Sequence, residues 1–201
     1  SGKPWDTGTW KEAHTLRGHR DSVRALAFTP DSRLLATGSW DEKIKLWDAA
    51  TGNEVRTLGG RTGWVEMLAF SPNGRLLASG TGDGALRLWD MQTGQNPRTL
   101  DIPGPGRPQA RAVHALAFSP DGHWVAFGTN DPKVQLWGPQ FRTFIGHQGA
   151  ILAVAFSPDG RLVASGSRDG TAMLWDFDKG EAVNTLYGHG DEVTALTFTP
   201  D

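Results

Sequence analysis

The sequence predicts an all-β fold in which one four-stranded antiparallel unit is copied along the chain. Three observations predict it. The first is a returning phrase: Gly166-Ser167-Arg168-Asp169-Gly170 leads to Leu174-Trp175-Asp176, and matching words run from Ser39-Trp40-Asp41 to Leu46-Trp47-Asp48 and from Thr81-Gly82-Asp83 to Leu88-Trp89-Asp90. A looser copy joins Thr129-Asn130-Asp131 to Leu136-Trp137-Gly138, with a remnant at Trp5-Asp6. The second is a fixed interval, since Phe28 to Trp47, Phe70 to Trp89, Phe118 to Trp137 and Phe156 to Trp175 are each 19 positions apart. The third is that strand-length runs alternate with Pro, Asp and Gly turns inside each copy and grow more polar from first to last. A phrase returning at a near-constant period means one small unit repeated.

Taken in order, residues 1–16 supply the end of a third strand and a fourth strand. The first whole unit, 17–58, opens with Val23–Phe28, apolar on both faces as a strand packed between neighbours must be. Thr29-Pro30-Asp31-Ser32 reverses the chain, because Pro fixes φ and Asp bonds nearby backbone. The second strand is Arg33–Gly38, the third ends at Trp47, and the polar Glu54–Leu58 is the fourth. Copies follow at 59–100, 101–144 and 145–186, and 187–201 holds one more first strand, Val193–Phe198. Loops absorb the irregularities. Six extra residues fall within Ile102–Pro108, and four are missing at the Gly138-Pro139 turn.

Bulk properties exclude several classes. Hydrophobic residues make up 38% and charged residues 21% of the 201, which describes one ordinary globular domain. The net charge of −2 gives no basic field for nucleic acid or an anionic membrane. There is no cysteine, so disulfides, thiolate metal sites and cysteine nucleophiles are ruled out. No signal-peptide pattern or membrane-length apolar run occurs, and a cytoplasmic setting is the expectation. The Ser1-Gly2 start and the stop inside the Thr199-Pro200-Asp201 turn read as the ends of a processed or cut piece.

Gly-His, Phe-Ser-Pro-Asp-Gly, Ser-Gly-Ser-x-Asp-Gly and Leu-Trp-Asp, recurring in step, resemble the WD-repeat β-propeller family over essentially the whole chain, and the wording resembles microbial members. The resemblance implies four complete blades plus partial end strands, in an incomplete or oligomer-completed ring. Joining head to tail would leave eleven residues absent, the length of a second strand and its turn, so a self-closed ring would carry a damaged blade. The family's relay of His, Ser or Thr, Asp and Trp carries over to His19, Thr37, Asp41 and Trp47 in blade one and to His147, Ser165, Asp169 and Trp175 in blade four. Blade two keeps Ser79, Asp83 and Trp89 but has Gly59-Gly60-Arg61 for Gly-His. Blade three keeps Asp131 and Trp137 but has Phe127 for the hydroxyl, and it is expected to open most easily.

A search for chemistry returns little. His19, His147 and His189 sit at the structural Gly-His position, while His14, His114 and His123 lack a partner at metal-ligand spacing. Asp41, Asp83, Asp131 and Asp169 recur once per blade, and turn stabilisation accounts for them more plainly than a metal ring. Gly80-Thr81-Gly82-Asp83-Gly84 lacks the Lys and the helix of a phosphate cradle. No cofactor, metal or catalytic group is expected, and a catalytic propeller is disfavoured.

What remains is a loop rim: Arg20, Trp40, Arg61, Trp64, Arg111, Asn130, Gln148 and Arg168. Trp and Arg dominate binding hot spots, and the rim reads as a platform for an acidic or phosphorylated segment. The alternative is that Trp40 and Trp64 cover their own blades while the arginines are simply solvated. The functional expectation is a non-catalytic protein-interaction scaffold for a peptide or domain. A purely architectural segment that self-associates or completes a larger propeller is the other reading.

Overall fold

The structure, a computed structural model, describes residues 5–6, 8, 11–12, 14–59, 63–94, 98–101 and 112–200. The strands are β1 (Trp5–Asp6) and β2 (Lys11–Glu12), then β3 (Val23–Phe28), β4 (Leu34–Ser39), β5 (Ile44–Asp48) and β6 (Glu54–Leu58). Next come β7 (Val65–Phe70), β8 (Leu76–Thr81), β9 (Ala85–Asp90) and β10 (Arg98–Asp101), followed by β11 (Ala115–Phe118), β12 (Val125–Gly128), β13 (Lys133–Trp137) and β14 (Phe141–Ile145). The last four are β15 (Ile151–Phe156), β16 (Leu162–Ser167), β17 (Ala172–Asp176) and β18 (Ala182–Leu186). Each group of four forms its own antiparallel sheet in sequence order, and β1 pairs with β2. These are four blades, and no sheet among the described residues closes on another to complete a ring.

The turns between first and second strands repeat one device. Thr29 Oγ1 accepts from Leu34 N at 3.0 Å and donates to Asp31 at 2.6 Å, while Asp31 accepts from Arg33 N at 3.0 Å. Ser71 with Asn73, Ser119 with Asp121 and Ser157 with Asp159 do the same. The next residue lies in the left-handed region, where Gly74, Gly122 and Gly160 fit and Ser32, at φ 58°, substitutes for them.

The core lies between blades. Ala36, Ile44, Leu46 and Leu58 of blade one face Val65, Leu68, Leu77 and Trp89 of blade two. Leu86 and Leu88 meet Leu116, Val125 and Phe127 at the next seam, and Val134, Leu136 and Phe144 meet Ile151, Val163 and Trp175 at the third. Second strands are buried almost throughout because they are covered on both faces. Glycine lets neighbouring blades approach: a Cβ on Gly38 would lie 2.4 Å from Val65 Cγ1, one on Gly80 2.4 Å from Val113 Cγ1, and one on Gly128 2.5 Å from Ile151 O.

Two stretches differ from the expected strands. β11 begins at Ala115, two residues later than the expected Val113, whose N–H bonds Thr81 O of the preceding blade at 3.3 Å. Val193–Phe198 forms no strand. Val193 N still bonds Ser167 O at 2.9 Å and its side chain is 6% exposed, so the segment docks at the blade-four seam. Among the described residues no strand forms a ladder with it. The insertion at 102–108 lies outside the described residues.

Candidate functional site

The two full sets of relay residues form closed hydrogen-bond chains. In blade one Trp47 Nε1 donates to Thr37 Oγ1 at 2.8 Å, Thr37 Oγ1 lies 2.7 Å from His19 Nε2, and His19 Nδ1 lies 2.9 Å from Asp41 Oδ2. The order of donors follows. Asp41 accepts, so His19 Nδ1 carries its proton, which leaves Nε2 to accept from the Thr37 hydroxyl. Blade four repeats this with Trp175 on Ser165 at 2.8 Å, Ser165 against His147 Nε2 at 2.8 Å and His147 Nδ1 against Asp169 at 2.9 Å. Asp169 also accepts from Gln148 N, Thr171 N and the Thr171 hydroxyl. Burial pushes both aspartates up, but these donors outweigh it: Gln148 N–H, Thr171 and His147 for Asp169, and Arg20 N–H, His19 and Lys43 N–H for Asp41. Both carboxyls are held below the ordinary aspartate value. Every polar atom of these chains has a partner inside the blade, so they tie loop to strand and leave no group for ligand chemistry.

The other two blades are wired differently. Trp89 Nε1 donates to Ser79 Oγ at 2.9 Å, while Asp83 takes its bond from Thr81 Oγ1. In blade three Phe127 fills the hydroxyl's place with no exposure, and the half-buried Trp137 lines the seam toward blade two. Asp131 Oδ1 is buried without a hydrogen-bond partner among the described residues, and Lys133 lies 3.7 Å from Oδ2. Sequence reasoning missed Thr171 and the pair formed by the buried Lys45 with the exposed Glu54, 2.7 Å apart. A signal for the pair was present, since Lys45 stands two before the repeat Trp, between the apolar Ile44 and Leu46.

At the rim, Trp40 and Trp64 come together across the seam between blades one and two, with ring centroids 5.6 Å apart and planes 30° apart. Trp40 Nε1 donates to Glu66 Oε1 at 3.0 Å, and Arg24 lies 5.3 Å over the Trp40 ring and 3.7 Å from Glu66. Trp64 is 54% exposed. Trp40 therefore covers the next blade as well as its own. Arg24 and Glu66 are absent from the expected rim; Arg24 joins it because the start of β3 lies beside its own blade's Asp turn, where Trp40 N bonds Ser22 O, and Glu66 because the start of β7 lies beside the same turn from the next blade. At the corresponding position of blade four, Arg168 donates to Glu192 at 2.6 Å. Asn130 bonds His114 at 3.0 Å, Gln148 donates to Gly146 O at 3.3 Å, and Arg20 is exposed. Arg61 and Arg111 lie outside the described residues.

Among the described residues no group of three or more His or acidic side chains is placed to hold a metal ion. No helix is long and apolar enough to cross a membrane. The family model described as "WD domain, G-beta repeat" matches residues 10–48, 52–90, 102–138 and 138–176. A guanine nucleotide-binding protein subunit beta from Schizosaccharomyces pombe is 45% identical over 42 residues, which is 21% of this chain and 14% of that subunit.

Proposed function

The chain belongs to the WD-repeat family of non-enzymatic interaction domains, and from that premise we propose that it is a scaffold whose rim recognises a partner peptide or domain around the Trp40–Trp64 pair. The observation that carries the reading is the stack itself. Two large aromatic rings from different blades lie face to face at a 30° tilt, Glu66 and Arg24 hold Trp40 in place, and Trp64 stays more than half exposed. Such rigid aromatic area, ordered before binding, is what interface anchors are made of. The similar yeast protein is by name a subunit, which supports a role in an assembly. Preference for an acidic or phosphorylated segment would rest on Arg20 among the described residues, since Arg168 and Arg24 already face Glu192 and Glu66.

Selection of displayed peptides on the immobilised chain tests this. Enriched peptides should lose most of their affinity for Trp64→Ala and keep it for a change at the opposite edge. Peptides that bind both forms equally would overturn the assignment to this rim.

A second reading, architectural docking of further blades, is favoured by one observation. Leu26 is 60% exposed on the outer face of blade one, whereas the same position is 6% exposed at Leu68 and 9% at Leu116. Sedimentation over a range of concentrations separates the two, because only docking between copies raises the mass.

A further inference from the structure

The edge opposite the rim is not the same at every seam. In the repeats His14-Thr15-Leu16, Arg56-Thr57-Leu58, Arg98-Thr99-Leu100 and Arg142-Thr143-Phe144 the first residue is basic, while the fifth copy, Asn184-Thr185-Leu186, has an amide there. Three of the four reach across to the next blade's turn after its repeat Trp. His14 Nε2 lies 2.9 Å from Ala50 O, Arg56 Nη1 donates to Met91 O at 3.3 Å, and Arg142 Nη2 donates to Phe177 O at 2.7 Å and Asp178 O at 2.9 Å. Under that bond, the residue two after the Trp plugs the seam.

The plugs are Ala49, Met91, Pro139 and Phe177. Met91 packs on the core between blades one and two. Phe177 fits more completely, edge-on to Trp124 at 5.5 Å and to Phe156 at 5.8 Å, with the Arg142 guanidinium 5.0 Å from its ring. The small Ala49 leaves a cavity of only about 30 Å³. In blade three the turn is four residues shorter, and Pro139 does not fill the gap. A cavity of about 340 Å³ opens between blades two and three, floored by Leu76, Leu88, Phe118, Val125 and Trp137, with Arg98 among its lining residues.

We propose that this open seam is a binding site for a partner polypeptide, which inserts one aromatic side chain where Phe177 sits one seam further along and places its main-chain carbonyl on Arg98. The chain itself supplies the template for the occupant. At the neighbouring seam an apolar floor and an arginine enclose a phenyl ring whose own carbonyl takes the guanidinium's hydrogen bonds. An arginine carries five N–H donors, so Arg98 can hold other partners and still meet this one. The cavity is of ligand-pocket size, roughly 300 Å³ or more, and its lining is mainly apolar with one cationic group. The site lies at the opposite strand ends from the Trp40–Trp64 rim and stands or falls separately from it.

The probe is a capped pentapeptide, Asp-Phe-Asp-Lys-Gly, which copies residues 176–180. Titrated into the whole chain, it should shift the NMR signals of Trp137, Leu88 and Val125. The same peptide with alanine for phenylalanine should bind about tenfold more weakly or worse, because it lacks the buried anchor. Arg98→Ala should also weaken the first peptide, because its main-chain carbonyl then loses the guanidinium. Replacing residues 138–140 with the sequence of residues 176–182 gives blade three a plug of its own; it should abolish binding and raise the thermal midpoint by about 3 °C or more. Equal binding of both peptides, or signals that move only at the rim, would overturn the proposal without any variant having to fold. A concentration-dependent mass that the grafted turn abolishes would give the site to a second copy of the chain, and that also overturns it.

Discussion

A single hydroxyl carries different weight in different blades. Ser165 Oγ receives the Trp175 indole proton and meets His147 Nε2, whereas among the described residues Ser79 Oγ receives the Trp89 proton alone, in a blade without the histidine. Removing a hydroxyl strands its buried partners, at about 1–3 kcal/mol for each group left unsatisfied. Ser165→Ala should therefore destabilise the protein by more than Ser79→Ala, read as the difference in urea midpoints at constant slope. Equal losses would mean that His147 draws nothing from the serine. The acid end of the same chain titrates. Asp169 and Asp41 have folded-state values below the unfolded value of 3.8, so they stabilise the fold fully above that value. That contribution is lost as pH falls through the lowered folded values. Stability should fall progressively below about pH 5, and Asp169→Asn should flatten the decline while lowering the plateau. A decline unchanged by Asp169→Asn and Asp41→Asn together would place the acid sensitivity elsewhere.

Strands and turns were largely legible in the sequence, because short apolar runs and the Pro-Asp-Gly signals that bound them are local. The constant interval of 19 located the hairpin block without reference to anything outside it. Seams were not legible. Gly38 reads in the sequence as the last letter of a strand, but its role is set by Val65, in the next blade, whose Cγ1 would lie 2.4 Å from an added Cβ. Trp40 and Trp64 were picked out as rim residues by type, and their stacking against each other depended on the same unseen seam. Val193–Phe198 carried the letters of a first strand, but strand formation needs a neighbour that sequence pattern alone does not supply. The seam gives its own prediction. Gly38→Ala overpacks a closed contact and should cost about 1–3 kcal/mol. Val65→Ala removes the clashing methyl, so the double variant should lose less than the two single losses added together. Strict additivity would show that the blades can slide apart to admit the methyl.

At the scale of the whole molecule, the main contacts among the described residues run between neighbouring blades, and an array of that kind is as stable as its units and seams taken in sequence. Those terms are unequal here. Blades one and four have complete relays, and the seam between three and four is sealed by Phe177 under Arg142. Blade three has a phenyl ring in place of the relay hydroxyl, a buried Asp131 Oδ1 with no hydrogen-bond partner among the described residues, and a 340 Å³ cavity on its blade-two side. An unsatisfied buried oxygen costs about 1–3 kcal/mol, and an unfilled seam forfeits contacts on both walls. Its first strand is also short, with four residues in β11 against six in β3, β7 and β15. Local opening should therefore begin in blade three, ahead of global unfolding. Native-state hydrogen exchange should find the least protected strand amides in β11–β14 and the most protected in β16 and β17. The grafted turn that plugs the cavity should slow exchange in β11–β13 while leaving β4 and β5 unchanged. If β11–β14 exchange no faster than β15–β18 in the original chain, the relay and the plug are not what sets the order in which the blades open.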